Sequence, residues 1–177
     1  TTPFERNLVF AKIVKNTWNK KQNFLIINKG ELDGIDTQMG VINNNNIVGI
    51  TSTVHDNFTA IISLLNTDLM ISAKIKKSGH YGSLTWSGTH YNTMELHDIP
   101  KHANVQKGDT IVTSSYSHIF PEGLNIGVIS KYENEKNTNF LKIYVNLFVD
   151  FTKINHVYLI NPEFQKERQI IEKTLLN

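Results

Sequence analysis

Ser114 and Ser115, seven histidines, and the carboxylates Asp98 and Asp109 are the groups from which a nucleophile, a base and an orienting acid could be drawn. A working triad needs the hydroxyl presented on a sharp turn, with backbone N–H groups aimed at the developing oxyanion. No serine stands in a Gly-x-Ser-x-Gly or Gly-Asp-Ser-Gly setting, so acyl transfer is not the expected chemistry. Metal binding fares no better. His97 and His102 sit five residues apart around Pro100, out of step with a single helix face, and His55 and His118 are isolated. The absence of Cys removes thiolate ligands, thiol nucleophiles and disulfides. Gly79, Gly82 and Gly88 lack the strand-loop-helix context of a phosphate cradle, so no cofactor is expected. Lys74, Lys76 and Lys77 form the one basic run; a solvated strand face accounts for it, with only Tyr81 and Trp86 nearby for stacking. Asn57-Phe58-Thr59 matches a glycosylation sequon, which matters only in a eukaryotic secretory chain.

Composition narrows the class further. The 177 residues carry 18 Lys and Arg against 16 Asp and Glu, a net charge of +2, which gives no basic excess for a nucleic-acid partner. Charged residues make up only 19%, and 21 residues are Asn, which favours turns and loop tips. The densest apolar cluster, Ile61 to Leu65, falls far short of the ~20 residues a membrane span needs. A chain that opens at Thr1 without Met is expected to be a trimmed piece of a longer one.

The elements that must position any site are strands. Period-two alternation is clearest from Phe140 to Val149, where Leu141, Ile143, Val145, Leu147 and Val149 share a face opposite Lys142 and Asn146. The same pattern in Ile71, Ala73 and Ile75 predicts a second strand, and others follow over 8–15, 22–28, 39–42, 47–54, 58–64, 80–87, 92–98, 110–114, 126–133 and 156–160. About a dozen closely spaced strands predict an all-β barrel or sandwich architecture. Asn43 to Asn46 reads as a hairpin tip, and Pro121-Glu122-Gly123 as a type I turn with Pro second and Gly fourth. Only the tail predicts helix: Asn161 as cap, Pro162 at the first helical position, and Phe164, Arg168, Ile171 and Leu175 along one side. Such a helix either lies on the body or leads away from it.

One segment remains unexplained by strand-making, Lys107 to Val128. It reads as a tight turn, a strand, a polar loop, an apolar tip at Ile119-Phe120-Pro121, another turn and another strand. Phe120 has two readings: tucked between two barrels, or an anchor for a partner.

Gly108-Asp109, Thr113-Ser114, then Phe120-Pro121-Glu122-Gly123 through Ile126-Gly127 resemble the later motif of the rod-shape-determining MreC family, a bacterial scaffold of sidewall synthesis. The first half is similar too, in Ala11 to Val14, Asn28-Lys29-Gly30 with Asp33-Gly34-Ile35, Met39 to Ile42 and Val48-Gly49. Asp150-Phe151 and Val157 to Ile160 resemble the family's closing strand, so the likeness spans 150 of 177 residues. Ser115 stands where the family usually has Gly, and the Asn43 to Asn46 tip replaces a Gly-containing turn.

The resemblance implies an all-β fold of two small six-stranded barrels, Greek-key and trypsin-barrel-like, with a short C-terminal helical tail over 162–177. Residues 1–66 would form the first barrel, with a strand over 153–161 as the candidate to return and complete it, and 67–152 the second. Gly108, Asp109, Thr113, Ser114, Pro121, Gly123 and Gly127 would be structural motif residues, and Tyr116, Ile119 and Phe120 the candidate partner contacts. The implied function is a non-enzymatic scaffold on the periplasmic side of the cytoplasmic membrane, anchored by a preceding membrane helix, with Thr1 to Arg6 the end of a dimerising helix. Implied partners are a second copy (homodimer or filament), the elongation penicillin-binding transpeptidase, MreD and, indirectly, MreB. No cofactor and no nucleic acid enter. The rival reading is a trypsin-like double-barrel hydrolase, since a fold does not dictate function.

Overall fold

The computed structural model describes residues 8–176. Thr1 to Arg6, expected as the end of a dimerising helix, lie outside the described residues, as does the side chain of Phe164. The described residues form twelve strands, one α-helix and a short 3-10 helix, Glu31–Asp33.

The strands close into two rings. The first uses β1 (Leu8–Asn16), β2 (Gln22–Ile27), β3 (Gly40–Asn43), β4 (Asn46–Val54), β5 (Thr59–Asn66) and, from the far end of the chain, β12 (His156–Ile160). Antiparallel pairing runs β1–β2–β5–β4–β3–β12 and back to β1, where Leu8 faces Ile160 and Ala11 faces Val157. The second ring uses β6 (Ile71–Ile75), β7 (Tyr81–Thr85), β8 (Thr93–Pro100), β9 (Thr110–Thr113), β10 (Asn125–Asn134) and β11 (Phe140–Leu147). It closes in the order β6–β7–β8–β11–β10–β9. A single parallel pairing, Asn125 with Asn46, joins the two. Closure leaves no strand edge unpaired and fills each interior with the inward half of every alternating strand. Leu25, Ile27, Val41, Ile61, Val157 and Leu159 are fully buried in the first ring, and Ala73, Ile75, Leu84, Leu96, Ile111 and Ile143 in the second. On β11, Leu141, Ile143 and Val145 point inward as the alternation predicts, while Leu147 is only half-buried at the strand end.

The turns follow their chemistry, with one correction. Asn44 and Asn45 both adopt positive φ (48° and 64°), the requirement of a two-residue hairpin of twist-matched hand. At Pro121 to Leu124 the turn residues are Glu122 and Gly123, and Gly123 has φ +89°. The glycine therefore takes the third position, where a left-handed residue is needed, and not the fourth position of a type I turn.

The chain returns from the second ring to the first through Asp150 to Ile154. Asp150 Oδ1 accepts from the Thr152 N–H (2.9 Å) and the Thr152 hydroxyl (2.6 Å), while its carbonyl accepts from Lys153 and Ile154 N–H. Phe151 is fully buried, and its carbonyl accepts from Asn16 Nδ2 at 2.6 Å, pinning the return to β1. The Thr152 hydrogen bonds hold the Asp150 carboxyl below the usual carboxylate range, with Lys153 adding attraction. A carboxyl depressed in the folded state stabilises above its unfolded pKa and loses that contribution as pH falls through the folded value. Asp150→Asn is therefore expected to narrow the gap between urea midpoints measured at neutral pH and below about pH 4. An unchanged gap would remove Asp150 from the acid response.

The tail helix α1 (Glu163–Leu175) begins one residue later than the sequence predicts. Pro162 occupies the cap position without any side-chain hydrogen bond, so the Asn161 cap does not form. The expected apolar side does not pack either: Ile171 and Leu175 are 55% and 78% exposed. The helix instead meets the body through polar groups, with Arg168 Nη1 donating to the Ser115 carbonyl at 2.9 Å and Arg168 Nε bonded to Glu172. Among the described residues, no helix is long and apolar enough to cross a membrane.

Candidate functional site

The loop that carries the candidate contacts, Ser114 to Leu124, connects β9 to β10 and is braced at its base. Gly108 (φ +91°) and Asp109 make the tight turn that starts β9, where Asp109 Oδ2 accepts from Gln106 N–H at 3.0 Å. Gly108 N–H donates to the Ile129 carbonyl and Ile129 N–H to the Asp109 carbonyl, which fixes β9 against β10. On β10 a methyl group at Gly127 would lie 2.0 Å from the Asn146 carbonyl oxygen, so only glycine permits this approach to β11. At the loop mouth the buried Thr113 hydroxyl donates to the Pro121 carbonyl (2.7 Å) and accepts from Leu124 N–H (2.9 Å). Ser114, also buried, shares a 2.6 Å hydroxyl–hydroxyl bond with Ser72 of β6 and accepts from Tyr116 N–H. Ser117 Oγ accepts from the N–H groups of Ile119 and Phe120, turning the chain inward there. An ion pair between Lys74 and Glu122 ties the far turn to β6.

This bracing decides between the two readings of Phe120. The ring is 2% exposed and lies against Gly40 of the first ring, where an added Cβ would stand 2.9 Å from the phenyl edge. Phe120 is thus the tucked residue and not a surface anchor; the Ser117 hydroxyl draws its backbone inward and burial of an aromatic side chain keeps it there. Tyr116 is 57% exposed and Ile119 half-buried, so those two of the three candidates reach the surface. They line a groove of about 350 Å³ with Ile50, Ile71 and the 66% exposed Met70.

Tyr81, half exposed on β7, belongs with them. Its ring centroid lies 4.4 Å from that of Tyr116, close enough for the two rings to support each other across the loop. The Tyr81 hydroxyl titrates above the usual tyrosine range, first because of its hydrogen bond to Tyr116 and then because of that neighbour's charge. Nothing in the alternation around Tyr81 signals this. The two tyrosines are distant in sequence, and the pairing of β7 with β6 and of β6 with β9 brings them together.

The remaining chemistry-bearing residues do not converge. The Ser114 hydroxyl is bonded to Ser72 and Tyr116 N–H. Among the described residues the one hydrogen bond between Ser and His side chains joins Ser78 Oγ to His80 Nδ1 at 3.0 Å, a local pair with no carboxylate on the imidazole. Such a pair lacks the orienting acid that a triad requires. His97 lies 3.4 Å from Glu95 and 3.7 Å from Glu135, on the outside of β8. No group of three or more His, Asp or Glu among the described residues is arranged to hold a metal ion. The geometry is that of a braced surface loop that presents Tyr116 and Ile119, suited to binding.

Comparison with known proteins agrees in sequence and in fold. The chain is 31% identical over 170 residues to the cell shape-determining protein MreC of Bacillus subtilis strain 168, covering 88% of this chain and 57% of that one. Against MreC of Listeria monocytogenes the figures are 27% over 146 residues, with 81% and 48% covered; the chain thus spans about half the length of these relatives. Among solved structures, MreC of Listeria monocytogenes superposes with a TM-score of 0.80 at 25% identity, covering 88% of this chain and 76% of that one. A structure described as the major periplasmic domain from the cell shape-determining filament MreC gives 0.71 at 18% identity, with 87% and 95% covered. A complex between penicillin-binding protein PBP2 and MreC from Helicobacter pylori gives 0.64 at 14%, with 87% and 99% covered. The family described as "Rod shape-determining protein MreC, barrel core" matches residues 13–161, and with its two closed rings and braced β9–β10 loop the chain belongs to that family.

Proposed function

We propose that this chain is the barrel core of a non-enzymatic cell-shape scaffold that works on the periplasmic side of the bacterial cytoplasmic membrane, tethered by a preceding membrane helix. The related domain described as periplasmic supports the location. The proposed structural units are 1–66 with 153–161, and 67–152, with 162–177 as a tail. The scaffold binds an elongation penicillin-binding transpeptidase, as the Helicobacter pylori relative binds PBP2. MreD, MreB at one remove and further copies of the chain complete the proposed assembly. Binding would act by favouring one conformation of the enzyme, which requires a partner surface with higher affinity for that state.

The observation that carries this reading is the groove of Tyr116, Ile119 and Met70, held rigid by Thr113 and Ser114. An exposed aromatic and an aliphatic side chain on a braced loop lose little freedom on binding, which is what an anchor needs. Tyr116→Ala with Ile119→Ala is expected to weaken transpeptidase binding at least ~10-fold, measured by surface plasmon resonance, with little change in melting temperature. Unchanged affinity in the double variant would move the contact off this loop. Gly108, Asp109, Thr113, Ser114, Pro121, Gly123 and Gly127 act through the loop's shape and not by touching the partner.

Self-association is a separate part of the proposal. Sedimentation of this chain and of a longer one carrying the preceding segment tests it. Monomers in both at high concentration would remove it.

A further inference from the structure

A second cleft, of about 630 Å³, opens where the β1–β2 loop of the first ring meets the β7–β8 connection of the second. The chain has two tryptophans, Trp18 and Trp86, and both line it. Trp86 forms a fixed wall: it is 4% exposed, and its indole N–H donates to the His90 carbonyl at 2.8 Å. Trp18 and Tyr91 are 38% and 45% exposed. Asn19, Lys20, Lys21 and Thr89 supply hydrogen-bonding groups, and among the described residues no Leu, Ile, Val or Met lines the cleft.

The two loops are held ready. Asn23, 1% exposed, accepts from Lys20 N–H and donates to the carbonyls of Lys20 and Leu65, fixing the first loop. Thr67 N–H donates to the Lys21 carbonyl, and Lys21 Nζ donates across the seam to the Gly88 carbonyl at 3.2 Å. The charge here has one sign. Lys15 and Lys20 both place their ammonium groups about 6 Å from the Phe24 ring centroid (5.9 and 6.0 Å), and among the described residues no carboxylate lines the cleft. Among the described residues, none of Lys15, Lys20 and Lys21 forms a salt bridge.

A protein hot spot is built around an apolar pocket, as in the Met70–Ile119 groove. Here the large apolar side chains are aromatic, and the other side chains end in amide, hydroxyl and ammonium groups. Flat aromatic faces carry negative charge density that attracts the polarised C–H face of a sugar ring. Amide and hydroxyl groups match its hydroxyls, and ammonium groups match carboxylates. The size and the position at a seam between two units are those of a ligand site. We propose that this cleft binds an acidic oligosaccharide, its rings on Trp18 and Tyr91 and its carboxylates on Lys20 and Lys21. The site is independent of the transpeptidase surface, so either can fail alone.

The position of both tryptophans makes the test direct. The chain is titrated with tetragalacturonate while tryptophan fluorescence is followed, with maltotetraose supplying rings without charge and hexaglutamate supplying charge without rings. Saturable change with tetragalacturonate alone is expected, weakening as salt rises from about 50 to 200 mM. By calorimetry, Tyr91→Ala and Lys20→Gln should each lose ~10-fold in affinity with circular dichroism unchanged. Absence of saturable binding overturns the proposal. So does equal binding of hexaglutamate, which would make the site an acidic-peptide cleft, equal binding of maltotetraose, or full affinity in both variants.

Discussion

Phe120→Ala should lower folding stability by about 3–5 kcal/mol. The ring is 2% exposed and is in contact with Gly40 across the seam, so its removal opens a cavity that neither ring can readily fill. Urea denaturation measures the loss as a shift in midpoint at constant slope. Phe120→Leu, which keeps most of the volume, should cost no more than about 1–2 kcal/mol. The pair separates packing from recognition. If Phe120→Ala folds with wild-type stability, the tucked placement is wrong and the residue returns to the list of surface anchors.

Ending the chain at Lys153 should have an effect of a different kind. That truncation removes β12, whose Val157, Leu159 and Ile160 are at most 5% exposed and whose backbone pairs with both β1 and β3. Burial of each such side chain contributes ~1.5–3 kcal/mol, and together they rival the 5–15 kcal/mol margin of a whole domain. The expected outcome is loss of amide-exchange protection over β1 to β5, with protection over β6 to β11 kept. Equal loss in both rings would mean that they unfold as one unit, and equal retention would mean that β12 is dispensable.

The alternation made nearly every strand legible, because each ring has one apolar interior and one wet exterior and so writes period two into its sequence. Leu141, Ile143 and Val145 point inward as read. What alternation cannot express is partnership across the chain. Phe120 and Gly40 meet through the closure of two separate rings, and neither residue's neighbours indicate it. Trp18 and Trp86 come to one cleft from different rings in the same way, while Tyr81 meets Tyr116 through strand pairing inside the second ring. The tail is helical as read, but its cap differs for a local reason: Asn161 precedes a proline that takes the cap position itself, so the usual side-chain cap has no place. The turn at Gly123 was misassigned by one position because sequence shows that a glycine is needed nearby, not which residue must be left-handed. In the candidate site, the motif residues were legible as a set, while their division into braces and contacts required the hydrogen bonds of Thr113 and Ser114.

Because β12 seals the first ring between β1 and β3, the entire second ring is spliced into the path of the first. As the polypeptide emerges, β1 to β5 must wait, with β1 and β3 lacking their shared neighbour, until some 90 further residues have appeared, a delay read from the span Asn66 to His156. The contiguous ring can mature in that interval, since domains generally fold as units in order of synthesis. The hazard of newborn chains clumping therefore belongs to the first ring, and slowing the arrival of β12 should raise it.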